Sequence, residues 1–245
     1  MTKFGEIQDS GERILPTREG EISIIYSRQK FAYEYISQFV KNKSVIDLGC
    51  GTGYGSKLLS ETAGEVSGID YDGEAISYCR NNYEASNLTF IQSDILNYRP
   101  EKQFDIAISL QVIEHFDNVS VFLNKIKSCV KFNGRIFIST PNVSPARKNM
   151  HENKYHLSDM DYAEFRSQLN KHFSKYEILG IAYAKDNILR KLIGFSLNYK
   201  LGKKIRRSSK IKNIACNTFD LTKFKIIDSD VQKKAADLLA VCENV

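Results

Sequence analysis

The segment 45–55, VIDLGCGTGYG, runs from an apolar stretch into a helix-forming one and places glycine at 49, 51, 53 and 55. Alternate glycines let a backbone turn sharply and approach a ligand closely, and a helix start behind them offers unpaired N–H groups. A loop of this kind is a binding site for a small polar cofactor. Spacing narrows the choice. A dinucleotide loop G-x-G-x-x-G begun at Gly49 needs glycine where Tyr54 stands, and begun at Gly51 it needs glycine where Ser56 stands. A Walker-type phosphate loop ends Gly-Lys-Ser/Thr, whereas this chain reads Gly55-Ser56-Lys57. Both NAD and a P-loop nucleotide are disfavoured.

Around that loop, β-rich apolar runs alternate with helical patterns, which predicts βαβ units and a parallel sheet. Five strands are expected at 44–48 (SVIDL), 66–70 (VSGID), 88–92 (LTFIQ), 104–110 (FDIAISL) and 135–140 (RIFIST). Asp72 and Asn118 are expected N-caps of intervening helices, with Gly134 beyond the end of the second, and Ser158 opens S-D-M-D, a short-armed capping box. A helix at 159–173 leads to a sixth strand at 176–183, and the run 237–242 (DLLAVC) makes a seventh. The expected organisation is one domain: a helical leader at 1–42, a core at 43–183, a basic insertion or lid at 184–230 that lacks a core's apolar periodicity, and the last strand at 231–245.

At 245 residues and 42% hydrophobic content the chain can bury a substantial core, and no apolar run approaches the roughly 18 residues of a membrane span. The N-terminus carries acids among its bases and no signal-length apolar block, so a cytoplasmic location is expected. Five cysteines without a C-x-x-C pair read as small buried hydrophobes in a reducing compartment. The net charge of +6 is local: 200–212 (KLGKKIRRSSKIK) has bases and no acid. With Phe195 and Tyr199 nearby, that tract is either a lid over an anionic acceptor or a grip on phosphate or RNA.

Four motifs in order resemble the class I S-adenosylmethionine (SAM) dependent methyltransferases: V-I-D-L-G-C-G-T-G after strand one, Gly68-Ile69-Asp70 ending strand two, Gln92-Ser93-Asp94 after strand three, and Ser109 to His115 (SLQVIEH) after strand four. The resemblance covers Val45 to about Tyr183 and the terminal strand. It implies an α/β, Rossmann-like seven-stranded sheet, mostly parallel with an antiparallel last strand and helices on both faces. It implies SAM as cofactor and a role for each matching residue. Asp47 faces the ammonium or orders the loop through water. Gly49, Gly51 and Gly53 pass close to the methionine part. Asp70 takes the ribose diol, with Tyr71 beside it, and Asp94 and Ile95 take the adenine. Leu110 walls the pocket, and Arg28 resembles an arginine that some relatives use for the SAM carboxylate. The plainer reading of any single strand-end Asp is a loop cap.

Methyl transfer to a hydroxyl needs alignment and removal of a proton, for which histidine is suited near neutral pH. His115 follows strand four at the edge where α/β sheets hold ligands, and His151 and His156 lie in the segment after strand five. His172 reads as a solvated helix cap. The V-I-E-H motif and Ser139–Asn142 (STPN) resemble a branch with ubiquinone-pathway, surface-polysaccharide and small-RNA 2′-O-methyltransferases, in which a His corresponding to His156 recurs. Glu114, His115 and His156 are therefore the expected catalytic residues. Some members of that branch hold a metal with E-x-x-E-H and a further His; here Gln111 replaces the first acid, so the metal is left open. The leader 11–35 (GERILPTREG…FAYEY) resembles that of polysaccharide-cluster members. The expected activity is O-methylation of a sugar, polysaccharide precursor or similar small polar acceptor. The alternatives are an RNA 2′-O-methyltransferase and an inactive methyltransferase fold that binds a partner.

Overall fold

A computed structural model describes residues 24–143, 155–184 and 223–245. The elements run α1 (Ile24–Ile36), β1 (Ser44–Leu48), α2 (Tyr54–Ser60), β2 (Glu65–Asp70), α3 (Gly73–Asn82), β3 (Leu88–Gln92), β4 (Phe104–Leu110), a 3₁₀ turn Ile113–His115 and α4 (Val119–Ser128). They continue with β5 (Val130–Pro141), α5 (Tyr162–His172), β6 (Tyr176–Tyr183), β7 (Phe224–Ile227), α6 (Val231–Lys234) and β8 (Asp237–Glu243). The strands form one sheet in the order β3-β2-β1-β4-β5-β8-β6-β7.

The apolar runs of β1, β2 and β4 are buried along nearly their whole length, as strands covered on both faces must be. Alternation within them divides the core. Val45, Ile106, Ile108, Leu110 and Phe137 face α1 and Leu59 of α2, whereas Ile46, Leu48, Ala107, Ile136 and Ile138 face α4 and α5. β1 pairs in parallel with both β2 and β4, so the strand order reverses beside it. That reversal opens a crevice at the carboxyl ends of β1 and β4, where open α/β sheets take ligands.

The seven expected strands are present. β8 is antiparallel to both β5 and β6, as expected of the last strand. Asp72 caps α3 through Glu74 N and Ala75 N, and Asn118 caps α4 through Val121 N.

Four details differ from expectation. An eighth strand, β7, lies inside the segment read as an insertion, antiparallel to β6. It is short and at the sheet edge, and only Phe224 of its four residues is buried, so it carries no alternation. β5 starts at Val130 rather than at 135, with a register shift opposite Phe104–Ile106, so Gly134, beyond the end of α4 as expected, already lies within the strand. The cap of α5 is Asp161 in a full capping box with Glu164, while Ser158 Oγ donates to Ile113 O at 3.2 Å and Phe116 O at 2.9 Å. His172 ties two helices together, its ring bonded to Asn124 Oδ1 and Ser120 Oγ of α4, each at 3.0 Å. Among the described residues, no helix is long and apolar enough to cross a membrane. Cys50, Cys79, Cys129 and Cys242 are buried free thiols. The basic tract 200–212, Phe195, Tyr199, His151, Cys216 and most of the leader lie outside the described residues.

Candidate active site

The glycine loop is anchored to its neighbouring strand: Gly49 N and Cys50 N both donate to Ile69 O, at 2.8 and 3.0 Å. Gly49 has φ +80, and a Cβ there would lie 2.4 Å from Val112 Cγ2, so the loop after β1 lies directly against the turn after β4. Gly53 has φ +75 and backs onto Cys79 Sγ and the Phe90 ring. Both positions combine a left-handed backbone with no room for a side chain.

Asp47 shares the α1/α2 face of β1 with Val45 and is fully buried. Ser56 Oγ donates to its Oδ2 at 2.6 Å, and Tyr33 OH lies 3.2 Å from each oxygen. Burial pushes the Asp47 carboxyl up to about 6; the Ser56 and Tyr33 hydrogen bonds pull the other way, and the charge of Asp70 adds to the rise. Burial, and then the Asp47 charge, raise the Tyr33 hydroxyl well above its ordinary range, so Tyr33 keeps its proton and donates. Asp47 thus orders the first turn of α2 through the Ser56 hydroxyl.

Asp70 closes the other side of the loop. Its Oδ2 accepts from Gly51 N at 2.8 Å and its Oδ1 from Asp72 N at 3.0 Å. Next to it, Tyr71 is 78% exposed. Asp94 is exposed and caps its own turn, accepting from Leu96 N at 2.7 Å and Asn97 Nδ2 at 3.3 Å. Ile95 and Leu110 are buried. These residues end or follow β1 to β4, so the parallel sheet brings them to one edge. Arg28 reaches in another direction: its Nε lies 2.6 Å from Asp237 Oδ2, at the start of β8.

The two histidines come together after β4. The rings of His115 and His156 are 5.0 Å apart and nearly perpendicular, at 83°. The segment carrying His156 is pinned to the 3₁₀ turn, since Leu157 N and Ser158 N donate to Glu114 O at 2.8 and 3.0 Å. His115 Nδ1 meets Tyr155 O at 3.1 Å, and His156 Nδ1 meets Asp159 Oδ1 at 2.8 Å. An oxygen that only accepts requires a proton on Nδ1, which makes Nε2 the lone-pair nitrogen of each neutral ring. Glu114 is 1% exposed, and one ligand atom from each of Glu114, His115 and His156 falls within 4.8 Å of the others. Gln111, with φ +58, turns to Ser139, its Nε2 donating to Oγ at 3.0 Å.

Tyr33, Ser56, Asp159 and Asp237 were not legible as site residues. Asp159 had the one available signal, an acid three residues past a histidine. The others reach their partners only through helix–sheet packing.

A family model described as "Methyltransferase domain" matches residues 39–193. The chain belongs to the class I SAM-dependent methyltransferases. SAM is that family's cofactor. The chain is 27% identical over 164 residues to a Mycobacterium tuberculosis protein described as a "Probable S-adenosylmethionine-dependent methyltransferase", covering 65% of this chain and 58% of that one. It is 37% identical over 113 residues to a mitochondrial ubiquinone biosynthesis O-methyltransferase of Dictyostelium discoideum, covering 40% of this chain and 35% of that one. The chain thus spans about three-fifths of the length of the mycobacterial relative. Among solved structures, the N-methyltransferase NodS from Bradyrhizobium japonicum with S-adenosyl-L-homocysteine matches with a TM-score of 0.54 at 11% identity, over 90% of this chain and 86% of that one. A SAM-dependent methyltransferase from Thermotoga maritima matches with a TM-score of 0.59 at 12% identity, over 90% and 92%. At such identities the likeness is one of fold.

Proposed function

We propose that the protein is a cytoplasmic SAM-dependent O-methyltransferase acting on a hydroxyl of a sugar, a polysaccharide precursor or a similar small polar acceptor. The observation that carries an oxygen acceptor is the His115–His156 pair at the carboxyl edge, with the Nδ1 of each ring tied to an oxygen. That arrangement turns Nε2 into the basic nitrogen and holds it in place, which is what abstracting a hydroxyl proton requires. Asp159 orients His156 and stabilises its imidazolium once a proton has been taken. The ubiquinone O-methyltransferase relatives support oxygen as the acceptor atom, and the V-I-E-H, STPN and leader resemblances support a saccharide.

In this reading SAM lies along the carboxyl edge. Asp70 turns from Asp72 N toward the ribose, Tyr71 and Ile95 flank the adenine with Asp94 at its amine, and Leu110 forms the wall. Gly49, Gly51 and Gly53 pass under the methionine part, Asp47 supports the loop from below, and Arg28 meets the carboxylate. The methyl then faces the histidine pair, and displacement at the sulfonium needs little beyond alignment and the base.

The same three donors, Glu114, His115 and His156, fit a divalent cation, because both imidazoles present Nε2 and both are oriented through Nδ1. Such an ion would supply Lewis-acid activation of the acceptor hydroxyl. With one carboxylate in the set, a hard cation would be held weakly. Chelation followed by return of Mg²⁺ or Mn²⁺ distinguishes this from the metal-free base.

The test is transfer of radiolabelled methyl from SAM into host extract, separated into saccharide, RNA, lipid and protein fractions. Label in the saccharide fraction, lost in His156→Ala with SAM affinity retained, is the expected result. Label in RNA overturns the acceptor and turns attention to the basic tract. Absence of label in every fraction, with no SAM binding, favours an inactive partner-binding module.

A further inference from the structure

Helix α1 joins the two ends of the crevice. Tyr26, Gln29 and Tyr33 pack on Tyr54 at the start of α2, with ring separations of 4.9 and 5.8 Å from Tyr26 and Tyr33 and a 2.7 Å bond from Tyr54 OH to Gln29. Phe31, on an adjoining face, meets Phe224 of β7 at 6.1 Å, and Arg28 lies one turn before it. Asp237 pairs with Pro141 of β5 and Ile181 of β6, so it lies at the same carboxyl edge as the glycine loop. Arg28 therefore spans from α1, which braces that loop, to the far side of the crevice.

The Arg28–Asp237 contact is an unusual way to store two charges. Asp237 is 1% exposed, and its Oδ1 has no hydrogen-bond partner among the described residues. Arg28 Nε is close to Oδ2 but not aligned to it as a hydrogen bond, and the Arg28 side chain keeps 18% of its exposure. Burying a carboxylate is costly, and pairing offsets that cost fully only when the hydrogen bonds are complete. They are not complete here, so the pair is poor as a stabilising device. What it does achieve is geometric. With its Nε edge facing Asp237, the guanidinium is left with its paired Nη groups as the fork available to an anion.

We propose that Asp237 is a positioning residue: it fixes the Nε edge of Arg28 so that the Nη fork is presented along the crevice to the carboxylate of the SAM methionine moiety. The proposal rests on the reading of Arg28 given above. Asp237 touches neither cofactor nor acceptor and acts through Arg28 alone.

The experiment measures calorimetric affinity for two probes, S-adenosylhomocysteine, which carries the amino-acid end, and 5′-methylthioadenosine, which lacks it. Asp237→Asn keeps the shape and removes the charge. It is expected to weaken S-adenosylhomocysteine about tenfold, as misplacing a binding group does, while leaving methylthioadenosine unchanged. In an Arg28→Ala background the same substitution is expected to have no further effect on either probe. Equal weakening of both probes, or an additive effect in the Arg28→Ala background, shows a merely structural role and overturns the proposal. If Arg28→Ala leaves S-adenosylhomocysteine affinity intact, the reading of Arg28 itself fails. If Arg28→Ala weakens it and Asp237→Asn does not, only the positioning role fails. Thermal melting checks each variant, and Asp237→Ser replaces the Asn variant if that one does not melt cooperatively.

Discussion

Replacing Asp47 with Asn should make the ligand-free protein progressively more stable, relative to the original, as pH rises. The Asp47 carboxyl has an ordinary value of 3.8 and is pushed up to about 6 in the fold, chiefly by burial. Between those values the unfolded chain has released the proton while the folded chain still holds it, so the original protein loses stability as pH rises through this window. The whole loss, at about 1.4 kcal/mol per decade of proton affinity, comes to about 3 kcal/mol above pH 7, and a little under half of it falls between pH 5 and 7.5. Asn does not titrate, so whatever it changes in the bonds to Tyr33 and Ser56 is a constant offset. Asp237, which burial also pushes up to about 6 against the pull of Arg28, and His172, whose ring burial pushes down, are present in both proteins and cancel in the difference. Urea unfolding of both proteins at pH 5, 6, 7 and 7.5 gives the two curves. The expected result is a gap that moves by about 1 kcal/mol in favour of Asn across that range. A gap that stays flat or moves the other way would refute the claim that Asp47 is fully buried in the fold with the Tyr33 and Ser56 hydroxyls as its donors among the described residues.

Gly55→Ala places a Cβ 2.2 Å from Tyr33 Cζ, and the ring is held in place by its bond to Asp47; calorimetry should show a loss of about 1–3 kcal/mol, and an unchanged melting temperature would show that the ring moves freely. Asp161→Ala removes the half of the capping box in which Asp161 Oδ1 accepts from Glu164 N at 2.9 Å, and should cost about 1 kcal/mol. Adding Glu164→Ala to that variant removes the second bond, from the backbone N–H of residue 161 to Glu164 Oε2 at 2.9 Å, and should lower stability further; no further loss would mean that this half of the box contributes nothing.

Much of the fold was readable because local chemistry and tertiary outcome agree. The buried strands are apolar runs, the helices start at Asp72 and Asn118, and glycine stands where the backbone takes positive φ at 49, 51 and 53. Where the two disagreed, a contact elsewhere decided. Ser158 has the chemistry of an N-cap, but its hydroxyl is taken by carbonyls of the turn after β4, so Asp161 caps α5 instead. His172 looks like a solvated end residue, yet α4 packs close enough to bond both ring nitrogens. β7 is a strand only because β6 offers it an edge.

The sequence by itself determined the class of chain. A glycine loop, strand-end acids at 47, 70 and 94, and V-I-E-H in order are local patterns, and a parallel sheet has few ways to arrange them. Only the tertiary structure decided the partners of those residues: Tyr33 and Ser56 on Asp47, His156 against His115, and Asp237 on Arg28. The physical reason is distance along the chain. Periodicity and spacing report on neighbours within a turn or a strand, whereas Arg28 and Asp237, at opposite ends of the chain, are brought within 2.6 Å only once α1 has packed on the sheet and β8 has paired with β5 and β6.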